Sequence, residues 1–172
     1  MKEEKESRIR IGVISDTHRN RASIRRALNA LGGIDCLMHL GDGVKDVLFV
    51  ETMYDIPVYA VSGNCDFGDY PTDLTIELGG RTIFLTHGHY FGVRSFGTRP
   101  LIKNAVKNGY DITLYGHTHV PELFAHGRHV FMNPGSTSEP RGPQRHPTCG
   151  LIELRDKEIF PSLIRLDARL PS

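Results

Sequence analysis

Residues 9–18, IRIGVISDTH, decide the fold: apolar and β-branched residues from Ile9 to Ile14 make a short buried-strand run that stops at Ser15-Asp16. A helical pattern follows, with Ile24, Ala27, Leu28 and Leu31 on one face and Gly32-Gly33 as its stop. The unit then recurs. Cys36 to Leu40 predicts a strand ending at Gly41-Asp42, Val44 to Met53 a helix, and Val58 to Val61 a strand ending at Gly63-Asn64. Short apolar strands alternating with helices predict a parallel α/β sheet.

Beyond Pro71 the rhythm changes. Leu74 to Leu78 and Thr82 to Leu85 flank Gly79-Gly80, a hairpin signal that a purely parallel sheet lacks. Pro100 to Val106 predicts a helix and Ile112 to Tyr115 a strand ending in Gly116-His117. Glu122 to Phe124, His129 to Met132, Leu151 to Leu154 and Ile159 to Leu166 follow as strands expected to be antiparallel. With no linker, repeat or low-complexity tract, the expectation is an α/β fold of two mixed sheets packed as a sandwich with flanking helices, one domain over residues 1–172.

Composition excludes several classes. At 39% hydrophobic and 24% charged residues, the chain resembles neither a disordered segment nor a coiled coil, and 172 residues suffice for a real core. Lys and Arg number 21 against 20 Asp and Glu, so no summed field draws the molecule to an anionic membrane or to long nucleic acid. No apolar run approaches the ~18 residues of a membrane span, and Met1 to Arg10 is charged without the apolar core of a secretory leader. These features predict a cytoplasmic protein. Cys36, Cys65 and Cys149 are odd in number and far apart, so they describe neither a disulfide framework nor a CxxC knuckle.

The polar residues carry the functional signal. Asp16 and His18, then Asp42, Asn64, His87, and finally His117 and His119 each stand at or just beyond the carboxyl end of an expected strand, mostly beside glycine. In open α/β sheets that edge is where ligands bind. Carboxylates, imidazoles and an amide carbonyl without thiolate suit borderline divalent ions such as Mn²⁺, Fe²⁺, Co²⁺, Ni²⁺ or Zn²⁺; affinity order alone would favour Zn²⁺ or Ni²⁺, while supply and geometry decide, and Mn²⁺ is the expected occupant. Seven such residues exceed the needs of one tetrahedral ion and fit two ions ~3.5 to 4 Å apart with one carboxylate shared.

The motifs SDTH (Ser15 to His18), GD (Gly41-Asp42), GNCD (Gly63 to Asp66), THGH (Thr86 to His89) and GHTH (Gly116 to His119), in that order, resemble those of the calcineurin-like metallophosphoesterases. GNCD in place of GNH, together with NPGSTSEPRG (Asn133 to Gly142), makes the chain similar to the YfcE-type small phosphodiesterases, over about Ile9 to Leu166. The resemblance implies that Asp16, His18 and His119 hold one metal, that Asn64, His87 and His117 hold the other, and that Asp42 bridges them. It also implies that a metal-bridging hydroxide attacks the phosphorus of a phosphodiester. On the same fold the retromer subunit of eukaryotic sorting machinery is a protein-binding scaffold, but it alters the GD and GN motifs that are intact here.

Cys65 departs from the broader family, whose His at that place can protonate a leaving oxygen. A thiol is a poor general acid, and the loss matters most for monoesters, so phosphodiesters are expected over monoesters, with monoesterase or nuclease activity as the alternative. The candidate catalytic set is Asp42, Asn64, Asp66 and His89. Asp66 is read as orienting the Asn64 turn or a proton behind the metals, and His89 as a phosphate contact. Arg141, in the loop after Asn133-Pro134-Gly135-Ser136, is a candidate substrate contact with Cys65, while Arg25 and Arg26 read as a solvated helix face and Arg19 and Arg21 stay open between that and substrate. His39, His126, His129 and His146 lack the glycine-turn setting and read as structural. A small phosphodiester, such as a cyclic or small nucleotide diester, is the expected substrate, and a dimer or tetramer the expected assembly.

Overall fold

The structure, a computed structural model, describes residues 8–143, 145–156 and 158–166. Both ends of the expected 1–172 domain, and most of the charged stretch from Met1, lie outside the described residues. The first sheet contains β1 (Arg8–Ile14), β2 (Cys36–His39), β3 (Val58–Ala60), β9 (Thr148–Arg155) and β10 (Glu158–Arg165) in the order β10-β9-β1-β2-β3. β1, β2 and β3 are parallel, and β9 and β10 are added antiparallel. The second sheet contains β4 (Asp73–Leu78), β5 (Arg81–Thr86), β6 (Ile112–Leu114), β7 (Glu122–His126) and β8 (His129–Asn133) in the order β4-β5-β6-β8-β7.

Alternation along the strands explains the layers. Ile11 and Val13 of β1 face a core shared with Met38, Ile83, Leu85, Ile112, Leu114 and Met132, which joins the two sheets. Ile14 faces the other way, onto α1 (Arg21–Leu31) through Ile24, Ala27, Leu28 and Leu31. Asn20 caps α1 by accepting from the Ser23 amide, and the Gly32 amide closes its end on Leu28 and Asn29. A 3₁₀ turn at Val44–Asp46 leads into α2 (Val47–Tyr54) on the same outer face. On the second sheet's outer face, α3 (Val93–Phe96) and α4 (Arg99–Asn108) bury Val93, Leu101 and Ala105 against Tyr115 and Phe131. The result is two five-stranded sheets between helical layers.

The Gly79-Gly80 turn has φ of 57° and 72°, the double positive φ that lets two residues join strands of natural twist, and it pairs β4 antiparallel to β5 as expected. Two readings are corrected. β8 is not purely antiparallel: Ile112, Thr113 and Leu114 pair parallel with Val130, Phe131 and Met132. β7 takes the sheet edge and the chain folds back between it and β6, so two reversals restore the original direction. Tyr115 falls just beyond β6 but stays fully buried, and its amide donates to Met132 O at 3.0 Å. The four-residue α3 was not anticipated; it is shorter than any periodic pattern can reveal.

Candidate metal centre

The carboxyl ends of β1, β2 and β3 in one sheet and of β5 and β6 in the other meet at one rim. Direct bonds tie the loops there: the Asp16 amide donates to Gly41 O (3.0 Å), the His18 amide to Asp42 O (2.9 Å) and the Gly116 amide to His87 O (3.1 Å). The His117 amide donates to Asp16 Oδ2 at 3.1 Å, joining the two sheets through a candidate ligand. Glycine makes these approaches fit. A Cβ at Gly63 would press on Asp42 Oδ1 and stand 2.5 Å from the Asp42 amide nitrogen, and one at Gly116 would stand 2.9 Å from Asp16 Oδ2.

Backbone strain gathers at the same rim. Asp16, His18, Asp42, His117 and His119 have φ of 52°, 44°, 54°, 68° and 59°, a region that side chains other than glycine occupy at a cost of about 1–3 kcal/mol each.

Their side chains fall into two groups. Asp16, His18, Asp42 and His119 offer one set of ligand atoms, all within 4.8 Å of one another, and Asp42, His87 and His117 offer a second. Asp42 belongs to both. Asn64 Oδ1 lies 3.2 Å from His87 Nε2, on the second group. All seven residues singled out in the sequence therefore come together, and the two histidines of GHTH are divided between the groups.

Proton positions follow from chemistry, because a carbonyl only accepts. His87 Nδ1 donates to Leu40 O (2.7 Å) and His119 Nδ1 to Glu139 O (2.7 Å), so in each neutral ring Nε2 carries a lone pair. His87 Nε2 faces Asn64 Oδ1 (3.2 Å), His117 Nδ1 (3.2 Å) and Asp42 Oδ2 (3.4 Å). His119 Nε2 faces Asp16 Oδ1 (3.1 Å) and His18 Nε2 (3.4 Å), and the buried Asp16 Oδ1 has no hydrogen-bond partner among the described residues. Electron pairs thus point at one another around two centres. Protons on every ring would set cations side by side, with the His18 and His119 rings 5.1 Å apart and those of His87 and His117 5.0 Å apart. Divalent cations resolve both clusters, so the residues present fit metal.

The electrostatics agree. Burial pushes the His87 imidazole down, but its contact with Asp42 and the charges of Asp16 and Asp42 outweigh burial and raise it, so the site favours positive charge. Burial also pushes Asp42 up, yet the bond and charge of His87 and the Cys65 amide hold it well below the usual carboxylate range. His117 is pushed down to about 4, first by burial and then by His87 and Arg94, which keeps it an unprotonated donor. Metal at about 100 times its dissociation constant is expected to raise the melting temperature of chelator-treated protein by roughly 5 to 10 °C. Differential scanning calorimetry with and without Mn²⁺ checks this.

Asp66 stands behind the loops that carry Asp42 and Asn64. Its carboxylate accepts from the amides of Asp42 (2.7 Å), Gly43 (2.8 Å), Val44 (3.1 Å) and Gly63 (2.9 Å), tying the β2 and β3 loops together. Asp66→Asn leaves one acceptor oxygen for four donors and is expected to weaken metal binding about 10- to 100-fold, read by Mn²⁺ titration calorimetry. The Cys65 amide donates to Asp42 Oδ1 (2.8 Å) while its exposed thiol lines a cavity with His18, Arg19, Asp42 and Asp66. Burial and Asp42 raise the thiol's pKa, so it stays protonated.

His89 sits with its ring 5.3 Å from that of His87 and 4.1 Å from that of Tyr90; burial lowers its pKa, and its buried Nδ1 lacks a partner among the described residues. Arg141 returns to the rim through its backbone, donating to His119 O at 3.0 Å, and lines a separate cavity. Arg21 and Arg25 lie over the Phe49 ring. His39 is fully buried between Thr17 Oγ1 and the Gly41 amide, as a structural histidine should be, and His129 Nδ1 contacts Tyr110 O. His126 is exposed and His146 partly so.

Several supports escaped the sequence reading. Ser136 Oγ donates to Asp16 O (2.7 Å), Asn133 Nδ2 to Gly116 O (3.0 Å), and Arg94 to His117 O (2.7 Å). Asn133 and Ser136 lie in the quoted NPGSTSEPRG stretch, while Arg94 follows a glycine-rich turn with no signal of its own.

Oxygen and imidazole donors gathered where the two sheets meet make a candidate centre for divalent metal. Residues 9–157 match the Calcineurin-like phosphoesterase superfamily domain. The chain is 31% identical over 133 residues to the probable metallophosphoesterase YsnB of Bacillus subtilis (strain 168), covering 75% of each. It is 31% identical over 153 residues to the phosphodiesterase YfcE of Escherichia coli (strain K12), covering 74% of this chain and 79% of that one. A predicted phosphoesterase of Streptococcus pneumoniae TIGR4 shares the fold with a TM-score of 0.79 and 32% identity, over 92% of this chain and 90% of that one. The chain belongs to the calcineurin-like phosphoesterase superfamily and is a metal-dependent phosphoester hydrolase. Among the described residues no helix is long and apolar enough to cross a membrane.

Proposed function

We propose that the protein is a dinuclear phosphodiesterase acting on small phosphodiesters. The observation that carries this is the pair of ligand groups sharing Asp42. Asp16, His18 and His119 would hold one ion and Asn64, His87 and His117 the other, with Asp42 common to both groups. Two divalent ions so placed would supply a water of lowered pKa and positive charge for the phosphate oxygens. The chain's residues do the positioning: the Leu40 and Glu139 carbonyls fix which ring nitrogens face the ions, Asp66 fixes the loops, and His89, with a neutral ring, contacts a phosphate oxygen.

Cys65 sets the preference for diesters. With a protonated thiol and no imidazole at that position, the chain offers no positioned acid there for the departing oxygen, whose negative charge builds furthest in the loose transition state of a monoester. Cys65→His is expected to raise phosphomonoester hydrolysis at least tenfold, a fraction of the ~10² to 10⁴ that a well-placed acid supplies. Steady-state rates on a phosphomonoester and diester sharing one leaving group check this.

The decisive experiment is elemental analysis of the purified protein alongside hydrolysis of bis(p-nitrophenyl) phosphate with and without Mn²⁺. About two metals per chain and metal-dependent hydrolysis are expected. Neither metal uptake nor hydrolysis would leave the scaffold reading in its place.

A further inference from the structure

A second cavity, of about 290 Å³, opens beside Val120 and Pro121, the two residues that follow His119. Its wall carries Arg141, Arg145, His146 and Arg165 and no carboxylate among the described residues. The protein as a whole is nearly neutral, so Arg141 and Arg145 on one small cavity are a local concentration of charge. Neither Arg141 nor Arg145 forms an ion pair among the described residues, and both are exposed.

The loop that carries them is anchored. The Arg141 amide donates to His119 O, and Gly142, at φ 86°, lies where a Cβ would stand 3.2 Å from Val120. Arg145 is itself held at φ 41°. The cavity is thus fixed to the backbone of a candidate metal ligand: Val120 follows His119 directly, and consecutive Cα atoms are about 3.8 Å apart. Its size is near the lower end of small-molecule sites, and its apolar wall of Val120, Pro121 and Pro143 beside guanidinium groups suits a ring that bears a phosphate.

We infer that this cavity is a subsite for a second phosphoryl group of the substrate, so that the substrate class is a nucleotide-sized phosphodiester carrying a further phosphate. The inference rests on the phosphodiesterase reading, since the scissile group would occupy the metal centre while the remote phosphate is gripped by Arg141 and Arg145. Binding energy at a remote anion then serves to place the reacting one.

The test compares p-nitrophenyl thymidine 5′-phosphate with the same diester phosphorylated at its 3′ oxygen, in the native protein with Mn²⁺ and in Arg141→Ala/Arg145→Ala. In the native protein the added phosphate should lower KM about ten- to hundred-fold, the range of charge-assisted hydrogen bonds, and in the double variant the ratio of the two KM values should fall towards one. Equal KM values in the native protein, or an undiminished ratio in the variant, overturn the subsite, while hydrolysis of both compounds upholds the phosphodiesterase. If neither compound is hydrolysed, the reading of the metal centre fails. The subsite is then judged by calorimetric titration of metal-depleted protein with thymidine 3′,5′-bisphosphate: one-to-one binding that the double variant loses supports it, and no binding overturns it.

Discussion

Replacing Asp42 by asparagine is expected to lower diester hydrolysis by about 10³-fold or more and to reduce the metal content from about two ions per chain to one or none. Asp42 is the residue common to both ligand groups, and its Oδ2 lies 3.4 Å from His87 Nε2 while Oδ1 accepts from the Cys65 amide. An asparagine of the same shape keeps one acceptor oxygen but removes the negative charge and turns an amide N–H into a site that wants only acceptors. The fold has no comparable stake in the charge, so the variant should remain folded. Elemental analysis and the turnover number on bis(p-nitrophenyl) phosphate give the readout. A variant that kept both ions and came within tenfold of the native rate would show that Asp42 is not the bridge.

Gly63→Ala should be almost as damaging without touching a ligand. The new methyl would displace the Asp42 carboxylate and crowd its amide, and it would disturb the Gly63 amide that donates to Asp66. Overpacking of this kind typically costs about 1–3 kcal/mol, and here the displaced atoms are those of the shared carboxylate. Metal binding and hydrolysis are both expected to fall by at least about 10²-fold, because a misplacement near 1 Å can cost that much. Gly33→Ala is the control, since a Cβ there meets nothing within 4 Å. Equal metal titrations for the two variants would contradict the close packing of the Gly63 loop.

The sequence made the parallel β1–β2–β3 unit and the β4–β5 hairpin legible because each is written locally, in apolar runs, helix faces and a Gly-Gly turn. The direction of β8 was not, since it depends on which strand takes the sheet edge, a choice made by the whole chain. The positions of Asp16, Asp42, Asn64, His87, His117 and His119 at strand ends were legible for the same local reason. Their division into two groups was supplied by resemblance, as spacing alone does not say that neighbouring His117 and His119 turn to different partners. The four-amide grip of Asp66 and the Leu40 and Glu139 carbonyls behind the imidazoles were invisible, because backbone atoms leave no mark in a sequence. Arg141 shows a complementary limit: its loop returns to the rim as expected, yet the sequence does not say that the residue lines a separate cavity there.

The joining of two sheets at one rim also bears on how the molecule assembles. Its candidate ligands run from Asp16 to His119, so no short stretch of chain holds a complete set, and the centre exists only once β5 and β6 have docked against β1, β2 and β3. Contacts between such distant parts of a chain form late, after the entropy of closing long loops has been met. An ion that recognises the finished rim therefore stabilises the native state more than the folding transition state. It should leave the folding rate nearly untouched and slow unfolding, making the metal a kinetic lock on the seam as well as a reagent.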